Sequence, residues 1–98
     1  MTIDKKLNGT SMEIAIEGRL DTMTSPQLEE ELKTSLEGIT DLTFDFDKLE
    51  YISSAGLRVL LSAQKTMNKQ GSMKIVHVSG ILREVFEVTG LTEMLDIE

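Results

Sequence analysis

The residues best placed to do chemistry lie in one run, Asp47-Lys48-Leu49-Glu50-Tyr51-Ile52-Ser53-Ser54-Ala55-Gly56-Leu57-Arg58. Adjacent hydroxyls at Ser53 and Ser54 precede a glycine and the start of an apolar helical stripe. Taken alone, either serine reads as a helix N-cap, worth about 1 kcal/mol. Ser54 with the single histidine, His77, and an aspartate would make a nucleophilic triad. A lone histidine in an apolar strand, however, is far more often a sheet residue than a base. Asp45 and Asp47 share one side of a strand, as a Mg²⁺-binding carboxylate pair would, and equally as outward polar positions of a half-exposed strand do. The chain has no cysteine, which removes disulfides, thiolate metal sites and thiol nucleophiles. It also lacks a GxxxxGK[ST] loop, a GxGxxG loop and a GxSxG elbow. No enzymatic activity and no cofactor are expected.

Charge narrows the range of partners. The net charge of −7 opposes sequence-independent binding to nucleic acid or to an anionic membrane. Its distribution is uneven. Residues 1–50 hold twelve acidic and five basic side chains, and residues 84–98 hold five acidic and no basic ones. From Tyr51 to Arg83 there is no Asp or Glu, while Arg58, Lys65, Lys69, Lys74 and Arg83 are present. No apolar run approaches the roughly 18 residues of a membrane span, and Met1 to Leu7 is too polar for a signal peptide. A single cytoplasmic domain over residues 1–98, an ordinary size for one domain, is expected, as a monomer.

The elements that position these residues follow from periodicity. Ile3–Leu7, Asn8-Gly9 and Met12–Glu17 read as a hairpin whose turn is Asn-Gly. Ser25-Pro26 opens a helix, with Ser25 as N-cap and Pro26 at its first position. Leu28, Leu32 and Leu36 form its stripe, Glu29-Glu30-Glu31 sits in its first turns, and Gly38 ends it. Leu42–Asp47 alternates as a strand, and a helix runs from about Ala55 to Gln70. That helix buries Leu57, Leu60, Leu61 and Met67, widened by Val59 and Ala63, and exposes Arg58, Ser62, Lys65 and Lys69. Gly71 ends it. Met73–Val78 is a strand, Ser79 caps a helix to about Thr89, Gly90 stops that helix, and Leu91–Glu98 is a turn with a short extended piece. Phe44, Phe46, Tyr51 and Phe86 are assigned to the core. Strands with acidic outward faces place the helices on one side. The expected fold is α/β, a two-layer sandwich with a mixed four- to five-stranded sheet and helices on one face.

With its surroundings the serine segment resembles the signature of the STAS family, named for sulfate transporters and anti-sigma-factor antagonists. The match runs from Asp47 through Tyr51-Ile52 to Ser53, Ser54, Ala55, Gly56 and Leu57. Glu17-Gly18-Arg19-Leu20-Asp21 resembles the family's glycine-x-leucine-aspartate loop, and Val88-Thr89-Gly90-Leu91 its C-terminal turn. The three occur in family order across nearly the whole chain. Two positions depart from the pattern: Ser53 stands where many antagonists have Asp, and Ala55 where many have a hydroxyl.

The resemblance implies an anti-sigma-factor antagonist that works by partner switching. Such a protein binds an anti-sigma factor that is also a serine kinase, is released when phosphorylated, and is restored by a serine phosphatase. Carried over by position, Ser54 is the phosphoacceptor, with Ser53 as an alternate. Asp21, Ser53, Gly56, Leu57 and Arg58 fall where partners bind. Two other readings stay open: a non-phosphorylated STAS adaptor subunit of a lipid-transport or stress-sensing complex, and a nucleotide-binding module using the loop near Asp21 and the Ser53–Leu57 turn.

Overall fold

The N-terminal alternation does form a hairpin, of β1 (Thr2–Asn8) and β2 (Ser11–Leu20), in a computed structural model that describes residues 1–98. Its turn differs from expectation. Asn8 pairs with Ser11, so the central residues are Gly9 and Thr10, and only Gly9 takes a positive φ, of 65°. That is the pattern of a turn with glycine first, which matches the twist of the flanking strands.

β2 is the spine of the sheet. It pairs antiparallel with β1 and parallel with β3 (Asp41–Asp45), and β3 pairs parallel with β5 (Ser72–Val76). A fifth strand, β4 (Leu49–Ile52), stands where the sequence reading had only a connection. It takes up pairing with β2 where β3 leaves off: Ala15 opposes Asp45, and Gly18 opposes Leu49. The pairing shifts register at Gly18/Arg19. The result is a mixed five-stranded sheet.

One face of this sheet is apolar. Met12, Ile14, Ile16, Leu42, Phe44, Met73 and Ile75 are buried on it, while Glu13, Glu17 and Lys74 on the opposite face are exposed. The helices cover the apolar face, as the alternation requires. α1 (Ser25–Ser35) contributes Leu28 and Leu32, α2 (Ser54–Gln70) contributes Leu57, Val59, Leu60, Ala63 and Met67, and α3 (Gly80–Val88) contributes Leu82 and Phe86. Leu61 is only half-buried, at the margin of the core. Tyr51 is 41% exposed and does not belong to the core.

The helix ends hold two further corrections. Thr24, not Ser25, occupies the N-cap position of α1, and Ser25 is its first helical residue. The acidic run Glu29–Glu31 therefore lies beyond the first turn, where the helix dipole acts less on it. At the other end, Gln70 Nε2 donates to the Leu36 and Ile39 carbonyls at 2.6 and 2.7 Å. The last turn of α2 thus satisfies the Ile39 carbonyl past the end of α1 and adds a second donor to that of Leu36, which already accepts from the Ile39 N–H at 3.1 Å. Ser79 caps α3 as expected, accepting from the Leu82 N–H at 3.3 Å. After a 3-10 turn at Leu91–Glu93, the chain returns to the sheet and Ile97 bridges Ile75 in parallel.

Candidate functional site

The C-terminal ends of β2 and β4 meet the first turn of α2, and a single carbonyl joins them. The Ser53 N–H donates to the Leu20 carbonyl at 2.9 Å, and the Leu57 N–H donates to the Ser53 carbonyl at 3.0 Å. Gly56 permits this close approach. A Cβ there would lie 2.8 Å from Ile52 Cγ1, 2.8 Å from Leu20 Cγ and 3.0 Å from the Leu20 oxygen.

The two serines behave differently on this scaffold. Ser53 occupies the N-cap position in extended conformation, yet its hydroxyl makes no capping bond. Its Oγ is buried and has no hydrogen-bond partner. Ser54, the first helical residue, is exposed. With no side chain capping α2, the amides of its first turn stay available to an acceptor. The Arg58 guanidinium folds back one turn, its Nε donating to the Ser54 carbonyl at 3.4 Å.

Asp21 directly follows Leu20 and organises the neighbouring loop. Its Oδ1 accepts from the Met23 and Thr24 amides at 3.0 and 3.1 Å and from the Thr24 hydroxyl at 3.2 Å. Thr24 Oγ1 in turn accepts from the Asp21 N–H at 2.9 Å and reaches the Arg19 carbonyl at 2.7 Å. The Thr24 amide, ahead of partial burial, which opposes it, and then the Met23 amide, the Thr24 hydroxyl and Arg19, hold the Asp21 carboxyl below its ordinary value. Asp21 is therefore a loop-shaping carboxylate whose charge stays at the surface. The side chain of Arg19, whose Nε lies 3.7 Å from Asp21 Oδ2, also stacks 4.2 Å over the Tyr51 ring.

The structure thus brings Asp21, Ser53, Ser54, Gly56, Leu57 and Arg58 to one end of the sheet, but only some can touch a partner. Gly56 and Leu57 are buried and serve to seat the turn. Ser54 and Arg58 are exposed. Three exposed residues of the same end were not among those the sequence assigned to partner contact: Met23 at the loop tip, 86% exposed, and the Arg19–Tyr51 pair. The spacing Asp21-Thr22-Met23-Thr24 was the available signal, because an aspartate accepting from an amide two residues on makes an Asx turn. A groove of about 250 Å³ separates the starts of α1 and α2 and is lined in part by Thr22, Ser25, Ala55 and Arg58.

His77 is elsewhere. It lies just past β5, which ends at Val76 and not at Val78 as expected, with a φ of 59°, and its Nδ1 lies 2.9 Å from Asp45 Oδ1 on the uncovered sheet face. The hydrogen bond to Asp45 and that carboxylate's charge raise the imidazole above its ordinary value. Burial pushes the Asp45 carboxyl up, but the Asp47 amide and the imidazole together hold it below the usual range. Asp45 is thus engaged with the histidine and with the Asp47 amide, 3.0 Å away.

A mixed sheet backed by helices on one face, with an exposed serine opening a helix that packs on the sheet's end, defines a class of two-layer α/β domain. The chain belongs to the STAS domain family: the family model described as "Mlab, STAS domain" matches residues 3–96. It is 33% identical over 98 residues to the anti-sigma-B factor antagonist of Bacillus subtilis, covering 99% of this chain and 90% of that protein. Among solved structures, an anti-sigma factor antagonist from Mycobacterium paratuberculosis superposes with a TM-score of 0.88 at 21% identity, over 98% of this chain and 83% of that one. The Bacillus cell fate determinant SpoIIAA in its phosphorylated form superposes with a TM-score of 0.77 at 19% identity, over 99% and 91%. These likenesses establish the five-stranded α/β fold. No helix of the chain is long and apolar enough to cross a membrane.

Proposed function

We propose that this protein is an anti-sigma-factor antagonist, a binding partner and not a catalyst, that engages an anti-sigma serine kinase through the end of the sheet bearing Ser54. Phosphorylation of Ser54 releases the kinase, and a serine phosphatase resets the switch. The setting is the cytoplasm, where sigma factors act. One copy of the chain carries a complete site, so a monomer suffices for the switch.

The observation that carries this reading is the contrast between the serines: Ser54 is exposed beside Arg58, whereas the Ser53 hydroxyl is buried. Ser54 is thus the acceptor and Ser53 a scaffold residue. A phosphoserine adds about −1.5 to −2 charges and three acceptor oxygens. Here these meet the open amides of the first turn of α2 and the positive end of its dipole, so the group is held without refolding. Within a desolvated contact the same charge costs several kcal/mol, and each 1.4 kcal/mol is about tenfold in affinity. The relative in Bacillus subtilis, an anti-sigma-B factor antagonist, and the phosphorylated form of SpoIIAA support the reading.

The test is incubation with the cognate kinase and ATP, followed by mass spectrometry and calorimetry. One phosphate is expected, on Ser54. Ser54→Ala should keep binding in the presence of ATP, and Ser54→Asp should bind at least about tenfold more weakly. A kinase that binds the chain yet leaves Ser54 unmodified refutes the switch. The matched family model, described as Mlab, favours a second reading, an adaptor that docks without modification. In that case Ser54→Asp binds as tightly as the wild type.

A further inference from the structure

β1, β4 and β5 each pair with one strand only, and the open sides of the two outermost, β1 and β5, differ. β5 is partly closed by the returning chain: the Ile75 N–H donates to the Asp96 carbonyl and the Glu98 N–H to the Ile75 carbonyl, both at 2.8 Å. β1 has β2 on one side and no strand on the other. A seven-residue edge with unpaired amides is a template for another strand, and its own sequence, Thr2-Ile3-Asp4-Lys5-Lys6-Leu7-Asn8, identifies that strand. We propose that β1 pairs antiparallel with β1 of a second copy about a two-fold axis at Lys5, joining two sheets into one.

Three observations converge on this register. The first is amide direction. Asn8 and Ser11 flank a two-residue turn, and such a flanking pair exchanges both backbone bonds, with strict alternation beyond it. Asp4, Lys6 and Asn8 therefore turn their amides towards β2, while Ile3, Lys5 and Leu7 turn theirs outward. An axis at Lys5 sets Ile3 opposite Leu7 of the second copy and Lys5 opposite itself. Each outward residue then donates one bond and accepts one.

Side-chain complementarity is the second. The same axis sets Asp4 opposite Lys6 at both ends, in the closer, non-hydrogen-bonded positions where cross-strand pairs interact most. Neither Asp4 nor Lys6 has an ion-pair partner within its own chain. On the helix side, Leu7, 64% exposed, would meet the half-buried Ile3 of the other copy. Shifting the register by two residues sets Asp4 against Asp4 or Lys6 against Lys6, so charge selects one alignment.

The third concerns the one like-charge contact, Lys5 against Lys5. The Lys5 ammonium is already committed to Glu31 Oε2 at 2.6 Å and Ser35 Oγ at 3.0 Å, on α1 of its own copy. The two-fold axis thus passes between neutralised side chains. Asp21, Ser54 and Arg58 lie off β1, so each copy retains its switch, and the association stands whether or not Ser54 is phosphorylated. The monomer expected from the sequence is the dilute form.

Sedimentation equilibrium from micromolar to millimolar concentration tests this, with circular dichroism to verify folding of each variant. The wild type should pass from monomer to dimer. Lys6→Asp, which turns both attractive pairs repulsive, should weaken the dimer by at least about tenfold. The double exchange Asp4→Lys with Lys6→Asp should restore it. Because the chain has no cysteine, Lys5→Cys should form a disulfide-linked dimer under mild oxidation much faster than Thr2→Cys, whose copies sit at opposite ends of the paired strands. A wild type that remains monomeric at millimolar concentration overturns the proposal. So does a dimer indifferent to Lys6→Asp, or equal linking rates for the two cysteine variants.

Discussion

Replacing Gly56 by alanine tests whether the serine-bearing turn is seated as described. In an exposed helix, alanine would be favoured over glycine by about 1 kcal/mol. Here the added methyl meets Ile52 and Leu20 carbons at 2.8 Å and the Leu20 carbonyl oxygen at 3.0 Å. Leu20 is fully buried and Ile52 nearly so, so neither side chain has a free direction to retreat, and the carbonyl is fixed by its bond to the Ser53 N–H. Overpacking of this kind costs about 1–3 kcal/mol. With one of the three contacts to backbone, the upper part of that range applies, and subtracting the propensity gain leaves a net loss of about 1–2 kcal/mol. For a domain near 100 residues this lowers Tm by about 5–15 °C. Thermal melts by circular dichroism read it directly. Gly80→Ala is the control, because a Cβ at Gly80 meets nothing within 4 Å, and it should leave Tm unchanged or slightly raised. If Gly56→Ala melts at or above the wild-type temperature, the first turn of α2 does not rest on Leu20 and Ile52 as the structure has it. Such a result would also remove the physical reason for a glycine two residues after Ser54.

Two further outcomes can be checked on the same protein. The raised folded-state value of His77 means that its pairing with Asp45 stabilises fully below the ordinary histidine value of 6.5 and fades as pH climbs through the raised one. The lowered Asp45 value makes the carboxylate's share present above 3.8 and lost as pH falls through the lower one. Melts across pH of the wild type and His77→Asn, which tolerates the left-handed backbone, should therefore differ most in mildly acidic solution and converge at alkaline pH; a pH-independent difference contradicts the pairing. Gln70→Ala removes both bonds to the carbonyls beyond α1 and should lower stability by about 1–2 kcal/mol, seen as a lower urea midpoint at constant slope; an unchanged midpoint refutes the clasp.

Much of this architecture was legible because burial leaves a period. Met12, Ile14 and Ile16 alternate with outward residues and mark β2, and the apolar positions from Leu57 to Met67 mark the buried side of α2. β4 was not legible, since its Leu49-Glu50-Tyr51-Ile52 buries only its two ends and carries no alternation. Tyr51 misled for a related reason: an aromatic residue beside Ile52 reads as core, whereas cross-strand register puts it under Arg19 at the surface. The roles at the α1 start were shifted by one residue. Ser-Pro is a familiar helix opening, but Asp21 had already gathered the Thr24 amide and hydroxyl, which moved the cap position to Thr24. The serine site was visible as residue types in sequence. Which hydroxyl faces solvent was not, because that depends on the Leu20 carbonyl drawing the Ser53 backbone inward, a contact between residues 33 positions apart.

That contact also bears on how a switch at Ser54 would work. The first turn of α2 is tied to β2 through the Ser53 amide, packed on Leu20 and Ile52 through Gly56, and closed by the Leu57 amide on the Ser53 carbonyl. A phosphate arriving on Ser54 therefore lands on a fixed base, with exposed Arg58 one turn away. It sits at the head of a stretch that carries no acidic residue from Tyr51 to Arg83, in a chain whose net charge is −7. Burial of that base leaves little room for the domain to answer by rearranging, and Arg58 supplies a cation one turn away, set against the carboxylates of Asp21 at the same end and Glu29 in the groove between α1 and α2. The change in free energy must then fall on whatever surface is pressed against Ser54. A rigid bearer serves a partner switch better than a flexible one, because none of the phosphate's effect is spent on reshaping the protein that carries it.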